Sequence, residues 1–240
     1  MFWDVHSHVV PSGDDGAGTL QDGLDLCRSA AAHGTSVLFA TPHVWPHLGL
    51  SREREERIRA AHAAMAAALT REGFDLRLGF ELTPMPSLLE DDLGRYRLGD
   101  LPAVLMELPF AGPLSLAERV AEEIESAGLV PVIAHPERAD AVIDDPERAR
   151  AFAERGWLLQ VNASSLLGVH GDHPEVTGWR LVEEGLVSLV GSDGHRPARP
   201  PFLDEAYAAV RDRVGEGADA LFDGSALPSV ERAGVPSVAS

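Results

Sequence analysis

The chain begins with two histidines whose spacing could support metal chemistry. His6 and His8 lie two residues apart, and Phe2, Trp3 and Val5 beside them are typical of a short strand. Side chains two apart on a strand point to the same side, so both imidazoles could bind one ion. Taken alone, a His-x-His pair is a structural or surface pair at least as often as a metal site.

More histidines and carboxylates stand where predicted strands end. They are His6, His8, His43, Glu81, Glu107, His135, Asp193 and His195, with Asp15 in the loop after the first strand. In a parallel barrel, the carboxyl ends of the strands share one face, which holds the active site. Singly, these residues could be surface charges or turn residues; nine together favour a multinuclear metal site. Imidazole and carboxylate without thiolate suit Mn, Fe or Zn equally.

The elements that would position these residues alternate short apolar runs with amphipathic ones. Strands are predicted at 2–5, 37–40, 76–81, 103–107, 130–134, 157–161 and 187–190. Helices are predicted at 19–33, 51–72, 115–127, 145–155, 175–184 and 203–214. This interleaving predicts an α/β fold with parallel strands and right-handed crossovers. Seven strands suit a closed (β/α) barrel over residues 1–223, and an open doubly wound sheet is the main rival; residues 224–240 are predicted to be a loosely ordered tail.

Composition narrows the class of protein. The net charge is −18 and all 20 basic residues are arginine, so the sequence contains no lysine. An acidic surface repels nucleic acid, and the missing lysine excludes a P-loop and a Schiff-base nucleophile. No apolar run reaches the ~18 residues of a membrane span, and no export leader is recognisable. The single cysteine, Cys27, cannot form an internal disulfide, so we expect a cytoplasmic protein.

Several short motifs together resemble a known family, over residues 4 to about 200. They are Asp4-Val5-His6-Ser7-His8, Asp14-Asp15-Gly16-Ala17-Gly18, Ala40-Thr41-Pro42-His43, Gly79-Phe80-Glu81, Glu107-Leu108-Pro109-Phe110, Val132 to Arg138 and Ser192-Asp193-Gly194-His195. The sequence resembles the PHP (polymerase and histidinol phosphatase) superfamily, and within it the bacterial metal-dependent protein-tyrosine phosphatases of capsule and exopolysaccharide operons. The resemblance implies a distorted seven-stranded (β/α) TIM-like barrel with three metal ions, usually manganese.

The resemblance also assigns the ligands to ions. It gives the first ion His6, His8, Asp193 and a bridging Glu81, the second Glu107 and His135 with the same Glu81, and the third Asp15, His43 and His195. Three divalent ions and four carboxylates leave the site near +2, which matches a phosphate-monoester dianion. Such ions would activate water for in-line attack on phosphorus and stabilise the equatorial and leaving oxygens.

Two arginines are candidates for holding the phosphate. Arg138 follows His135 by three residues, and its planar guanidinium can bind phosphate oxygens. The residues alone leave a surface ion pair equally open, and the resemblance favours the phosphate role. The family usually carries a second arginine seven residues after the aspartate of Asp-x-His-Asn, where this chain has Pro200. Arg199, one residue earlier, is the expected equivalent, and Arg196 is the alternative.

Three functions remain open from sequence. The leading hypothesis is a tyrosine phosphatase for a protein substrate, with an exopolysaccharide tyrosine kinase as the candidate substrate. The second is a small-molecule phosphatase of the histidinol-phosphatase kind, and the third is a non-catalytic, metal-stabilised regulatory domain, which a complete ligand set disfavours. A thiol-phosphatase mechanism is not expected, because a Cys-x5-Arg loop starting at Cys27 would need arginine where His33 stands.

Overall fold

The strands of this computed structural model are short and parallel, and the structure describes residues 1–229. The strands are β1 Phe2–Ser7, β2 Thr35–Ala40, β3 His43–Val44, β4 Asp75–Leu78, β5 Glu81–Leu82, β6 Ala103–Glu107, β7 Val130–Ala134, β8 Leu158–Asn162 and β9 Leu189–Gly191. The helices are α1 Leu20–Ala32, α2 Arg52–Thr70, α3 Ser115–Ser126, α4 Asp140–Asp144, α5 Glu147–Glu154, α6 Ala163–Leu166, α7 Asp172–Glu183 and α8 Asp204–Val214. The predicted α/β alternation is confirmed.

The described strands form two parallel sheets. One has the order β1-β2-β4 and the other β3-β5-β6-β7-β8-β9. The prediction of one seven-stranded closed barrel is therefore not confirmed. The strand predicted at 76–81 divides into β4 and β5 at Gly79, where a Cβ atom would lie 2.6 Å from the Leu98 side chain. The chain from β2 to β3 is likewise interrupted, at Pro42, which has no N–H to donate.

The helix ends follow the local sequence signals in part. The hydroxyl of Thr19 accepts a hydrogen bond from the N–H of Asp22 at 3.1 Å, as expected of an N-cap residue. Gly34 follows α1 with a φ of 92°, a left-handed conformation that favours glycine. By contrast, Ser115 is the first residue of α3, and no side chain caps that helix at Leu114.

The first part of the predicted tail packs against the rest of the protein. Leu227 is only 7% exposed and joins a small apolar cluster that includes Val5 and Phe39. Gly224 lies against the Trp3 ring, where a Cβ atom would come within 2.4 Å. The remainder of the predicted tail, residues 230–240, lies outside the described residues. Within residues 1–229, no helix is both long and apolar enough to span a membrane.

Candidate metal centre

The predicted site residues converge at the carboxyl ends of the strands. A cavity of about 200 Å³ opens there, and it is lined by Asp15, His43, Trp45, Glu107, Phe110, His135, Arg138, Asp193, His195 and Arg199. His6, His8 and Glu81 are fully buried, and they contact Asp193, His43 and His135 of the lining. Short strands that end together thus bring to one site residues that lie up to nearly 200 positions apart in the sequence.

His6, His8 and Asp193 offer three donor atoms with the spacing of a single ion's ligands, and Glu81 lies against both histidines. The Nε2 atoms of His6 and His8 are 3.2 Å apart. Oε2 of Glu81 lies 3.2 and 3.3 Å from them, and Oδ1 of Asp193 lies 3.5 and 3.4 Å from them. A tetrahedral ion with ~2.0–2.2 Å bonds has ligands roughly 3.3–3.6 Å apart. His6 in β1 and His8 directly after that strand therefore do direct both imidazoles to one site.

The Glu81 carboxylate contacts four histidines of the cluster. Besides contacting His6 and His8, its carboxylate lies 2.9 Å from Nδ1 of His43 and 3.0 Å from Nε2 of His135. Burial alone would raise the pKa of Glu81, but the charges of His6 and His43 and the hydrogen bond to His135 hold it well below its usual range. The group is therefore ionised and can donate an electron pair to a metal ion.

A second group of donors lies toward the solvent. His8, Asp15, His43 and His195 offer atoms that all lie within 4.8 Å of one another. Oδ1 of Asp15 is 3.3 Å from Nε2 of His195 and 3.7 Å from Nε2 of His43. Burial and the neighbouring charge of His8 lower the pKa of His195 to about 3, so this imidazole is neutral and can donate a lone pair. The structure thus brings together the three ligands that the resemblance assigns to one ion.

Glu107 is the predicted ligand that does not join a group. Among the described residues, His135 groups with His6 and Glu81, and Glu107 is in no cluster of three donors within 4.8 Å. Its Oε1 instead accepts a hydrogen bond from the hydroxyl of Thr83. Burial and the charge of Glu81 raise the pKa of Glu107 to about 8. A cation beside this carboxyl would favour its ionised form.

Asp14 is a functional residue that the sequence reasoning missed. Its side chain is fully buried, whereas that of Asp15 is 48% exposed. Asp14 lies 3.6 Å from Nδ1 of His8 and accepts a hydrogen bond from the N–H of His43 at 3.0 Å. A carboxylate on the outer nitrogen of a histidine directs the other nitrogen toward a metal. The paired acids in the loop after β1 were the available signal, since one of them could be a supporting residue.

An amide pair on β8 supports the opposite side of the cluster. Oε1 of Gln160 lies 2.8 Å from Nδ1 of His6, and its Nε2 donates to Oδ1 of Asn162 at 2.9 Å. Nδ2 of Asn162 in turn donates to Oδ2 of Asp193 at 2.8 Å. Because Gln160 can accept only through Oε1, His6 holds its proton on Nδ1 and presents Nε2 to the centre. Only the pairing of β8 with its neighbours reveals these contacts.

Backbone strain is concentrated at two of the predicted ligands. Within residues 1–229, His135 and Asp193 are the two non-glycine residues with positive φ, at 34° and 54°. Such conformations are costly for ordinary residues and cluster at functional sites. Both residues directly follow or nearly follow a strand end, so the turn aims each side chain back over the sheet. This placement cannot be derived from strand alternation.

Arg138 and Arg199 meet at the mouth of the cavity. Nη1 of Arg138 lies 3.3 Å from Oδ2 of Asp193, and Arg199 donates to the same oxygen. Arg196, the sequence alternative, is exposed and donates to the backbone carbonyl of Asp15. Arg199 therefore lies beside Arg138 on the cavity lining, whereas Arg196 is not part of that lining.

The donor set fits divalent transition metals. It consists of imidazoles and carboxylates without thiolate, as Mn, Fe and Zn accept. Two buried atoms at the centre, Nδ1 of His43 and Oε2 of Glu81, lie 2.9 Å apart, yet neither makes a hydrogen bond of good geometry within the described residues. Buried polar atoms of this kind are normally satisfied, and an ion would satisfy both.

Fold and site together define an α/β protein with a buried histidine and carboxylate centre beneath two arginines. The chain belongs to the family described as Capsular polysaccharide synthesis, CpsB/CapC, whose sequence model matches residues 2–223. The family resemblance expected from the motifs is confirmed.

Named relatives cover nearly the whole chain. Tyrosine-protein phosphatase YwqE of Bacillus subtilis (strain 168) is 32% identical over 218 residues, which span 88% of this chain and 85% of that protein. Tyrosine-protein phosphatase CpsB of Streptococcus agalactiae serotype V is 29% identical over 234 residues, spanning 91% and 94%. A solved structure described among those of YwqE from Bacillus subtilis and CpsB from Streptococcus pneumoniae, "unique metal-dependent tyrosine phosphatases", matches with a TM-score of 0.80 at 28% identity, covering 90% of this chain and 88% of that chain.

Proposed function

We propose that this protein is a metal-dependent phosphatase that hydrolyses phosphotyrosine in a protein substrate. The observation that carries the proposal is the buried cluster of His6, His8, Glu81 and Asp193 beneath a cavity with two arginines. The relatives YwqE and CpsB, named as tyrosine-protein phosphatases, support it. Phosphotyrosine on a bacterial tyrosine kinase of exopolysaccharide synthesis is the partner class that we propose, in keeping with the family description.

We propose nine residues as ligands of three divalent ions, manganese first among the candidates. They are His6, His8, Asp15, His43, Glu81, Glu107, His135, Asp193 and His195. When bound, such ions would activate water and neutralise charge on the phosphoryl group. Glu107 would leave its hydrogen bond with Thr83 or share it on binding, since the residue lines the cavity.

Arg138 and Arg199 would bind the phosphate oxygens. Both guanidinium groups are partly exposed, 21% and 30%, and converge on one oxygen of Asp193. Nε of Arg199 has no hydrogen-bond partner within the described residues. Guanidinium groups bind phosphate through pairs of N–H donors, and here they would orient the ester above the buried centre. They would also stabilise charge that develops on the phosphoryl oxygens.

The mouth of the cavity suits an aryl ester. Trp45, which follows β3, stacks on His43 with ring centroids 4.2 Å apart. Phe110, which follows β6, is 47% exposed, with the Arg138 guanidinium 4.7 Å from its ring centre. Aromatic side chains on the lining can pack against a tyrosine ring. A phenol, with a pKa near ~10, also leaves far more readily than a serine alkoxide.

We further propose that the two sheets together form a distorted seven-stranded barrel. Hydrogen bonds connect β1 to the segment after β9: Asp193 N–H donates to the His6 carbonyl at 2.8 Å, and His8 N–H donates to the Gly194 carbonyl at 2.7 Å. β3 and β5 follow β2 and β4 after breaks of two residues each. These contacts support a ring of seven strand segments with interruptions at Pro42 and Gly79.

Substrate competition tests the function. Manganese-loaded protein is offered a phosphotyrosine peptide, the matched phosphoserine peptide and histidinol phosphate, and phosphate release is measured with and without a chelator. We expect turnover of the phosphotyrosine peptide to exceed the others at least tenfold and to stop on chelation. Preference for histidinol phosphate would establish the small-molecule alternative, and metal binding without turnover of any ester would establish a regulatory domain.

A further inference from the structure

A second, more apolar pocket adjoins the metal cavity. It has a volume of about 220 Å³, and its lining includes Leu167, Val169, Pro200 and Phe202. Arg199 lines this side pocket and the metal cavity alike, so the two cavities meet at this residue. A ligand whose phosphate contacts Arg199 would therefore bring its neighbouring groups to the side pocket.

The side pocket is preformed by local contacts. The hydroxyl of Ser164 lies 2.9 Å from Nε2 of His170, and the N–H of Val169 donates to the Ser164 carbonyl at 2.9 Å. On the opposite wall, the Phe202 ring stacks on His33 at 3.7 Å between centroids. An apolar group entering the pocket would meet walls that are already positioned, which lowers the entropic cost of binding.

Exposed apolar side chains are also concentrated around the side pocket and the metal cavity. Large hydrophobic residues that are exposed are few within residues 1–229, and they are Met1, Leu20, Phe110, Leu167, Val169 and Val176. Phe110 lines the metal cavity, and Leu167 and Val169 line the side pocket. Asp204 and Glu205 also line the side pocket, so an acidic group there would meet like charge.

We propose that the side pocket binds an apolar side chain that flanks the phosphotyrosine in the substrate protein. The occupant follows from the apolar walls, from the carboxylates that disfavour an acidic residue, and from the continuity with the metal cavity through Arg199. This inference rests on the proposed function and adds a sequence preference to it. It predicts that substrates are selected by a residue near the tyrosine as well as by the phosphate.

The test is a peptide scan with matched variants. Phosphotyrosine peptides carrying Ala, Leu or Glu at each of the two positions on either side of the tyrosine are compared by kcat/KM, with a small aryl phosphate as reference. At one position we expect Leu to exceed Ala by roughly fivefold to tenfold, as one or two buried methylene groups provide, and Glu to fall below Ala.

Val169→Ser should reduce the Leu preference to about twofold or less and leave turnover of the aryl phosphate unchanged. Val176→Ser is the matched control, because Val176 is 68% exposed, close to the 69% of Val169, and lies on α7 outside the pocket. It should retain the full preference. Absence of a Leu preference at every position, or its persistence in a Leu167→Ser/Val169→Ser double variant, would overturn the inference. If the unmodified protein turned over neither the phosphotyrosine peptides nor the aryl phosphate, the proposed function itself would be refuted.

Discussion

Replacing Glu81 by glutamine should affect several ions together. The carboxylate contacts four imidazoles at 2.9–3.3 Å, and glutamine keeps the shape but removes the charge. In the metal-free protein, removing one partner of a buried charged cluster costs roughly 3–5 kcal/mol. His6 and His8 can release protons in response, so we expect the lower end, about 3 kcal/mol. For a domain of this size that lowers Tm by roughly 6–12 °C.

The assay combines elemental analysis with thermal unfolding. Glu81→Gln, dialysed against a defined manganese concentration, should lose occupancy of at least two ions per chain, while ordinary protein retains two or three. Metal should also raise the Tm of the variant less than that of the ordinary protein, because ligand stabilisation scales with affinity. An unchanged metal content and an unchanged metal-dependent rise in Tm would refute the role of Glu81 as a shared ligand.

Glu137→Gln is the matched control. Glu137 is equally buried and lies close to the site, but its Oε1 accepts hydrogen bonds from the Ser165 hydroxyl at 2.6 Å and the Asn162 N–H at 3.1 Å. Burial raises the pKa of Glu137 to about 7, so much of it is already uncharged at neutral pH. Glutamine can accept the same hydrogen bonds, and we expect metal content to be retained.

Four further predictions concern turnover and metal affinity. Arg138→Ala should keep its metal but lose ~10²–10³ in kcat on phosphotyrosine peptide and aryl phosphate alike, with Arg138→Lys recovering part, since ammonium cannot bind in bidentate fashion. Cys27→Ser should leave turnover nearly unchanged, because burial raises the thiol pKa to about 12 and disfavours a thiolate. Gln160→Leu should weaken metal affinity ~10–100-fold by removing the acceptor for His6 Nδ1. Apparent metal affinity should rise with pH, measured by titration with a proton-release dye. Burial would lower the pKa of His8, but hydrogen bonds to Asp14, Asp193 and Glu81 raise it well above its usual range; the protonated form, present below that pKa, must release its proton to bind.

Each of these has an outcome that contradicts it. Metal loss in Arg138→Ala would make that arginine a support of the ligands, and loss of peptide turnover alone would make it a reader of the substrate protein. Inactive but folded Cys27→Ser, or activity that survives exhaustive chelation, would overturn the metal mechanism. Unaltered affinity in Gln160→Leu would show that His6 needs no acceptor, and metal affinity independent of pH would show that His8 binds without releasing a proton.

The sequence by itself determined the alternation of strands and helices and the residues that follow the strands. His6 and His8 illustrate the reason: the two-residue period of a strand is local, so their common direction could be read without a fold. Parallel pairing then predicts that strand ends share a face, and that is enough to gather His43, Glu81 and His135.

Tertiary structure decided how those residues are supported. Asp14 and Asp15 are adjacent in sequence, yet one is buried against His8 and the other faces the cavity, a difference that depends on how the loop folds over β3. Gln160 supports His6 across 154 residues, through strand pairing that no local pattern encodes. Only the turn that follows β9 distinguishes the two candidate arginines: Arg199 donates to Asp193, whereas Arg196 donates to the Asp15 carbonyl.

The division of the sheet was also a tertiary outcome. Residues 76–81 have the apolar pattern of one strand, and nothing local stops it at Gly79. At Gly79 the Leu98 side chain packs where a Cβ atom would be, and Pro42 interrupts the neighbouring segment. Local periodicity sets which residues can form a strand, while contacts between distant segments set where each strand stops and what surrounds each ligand.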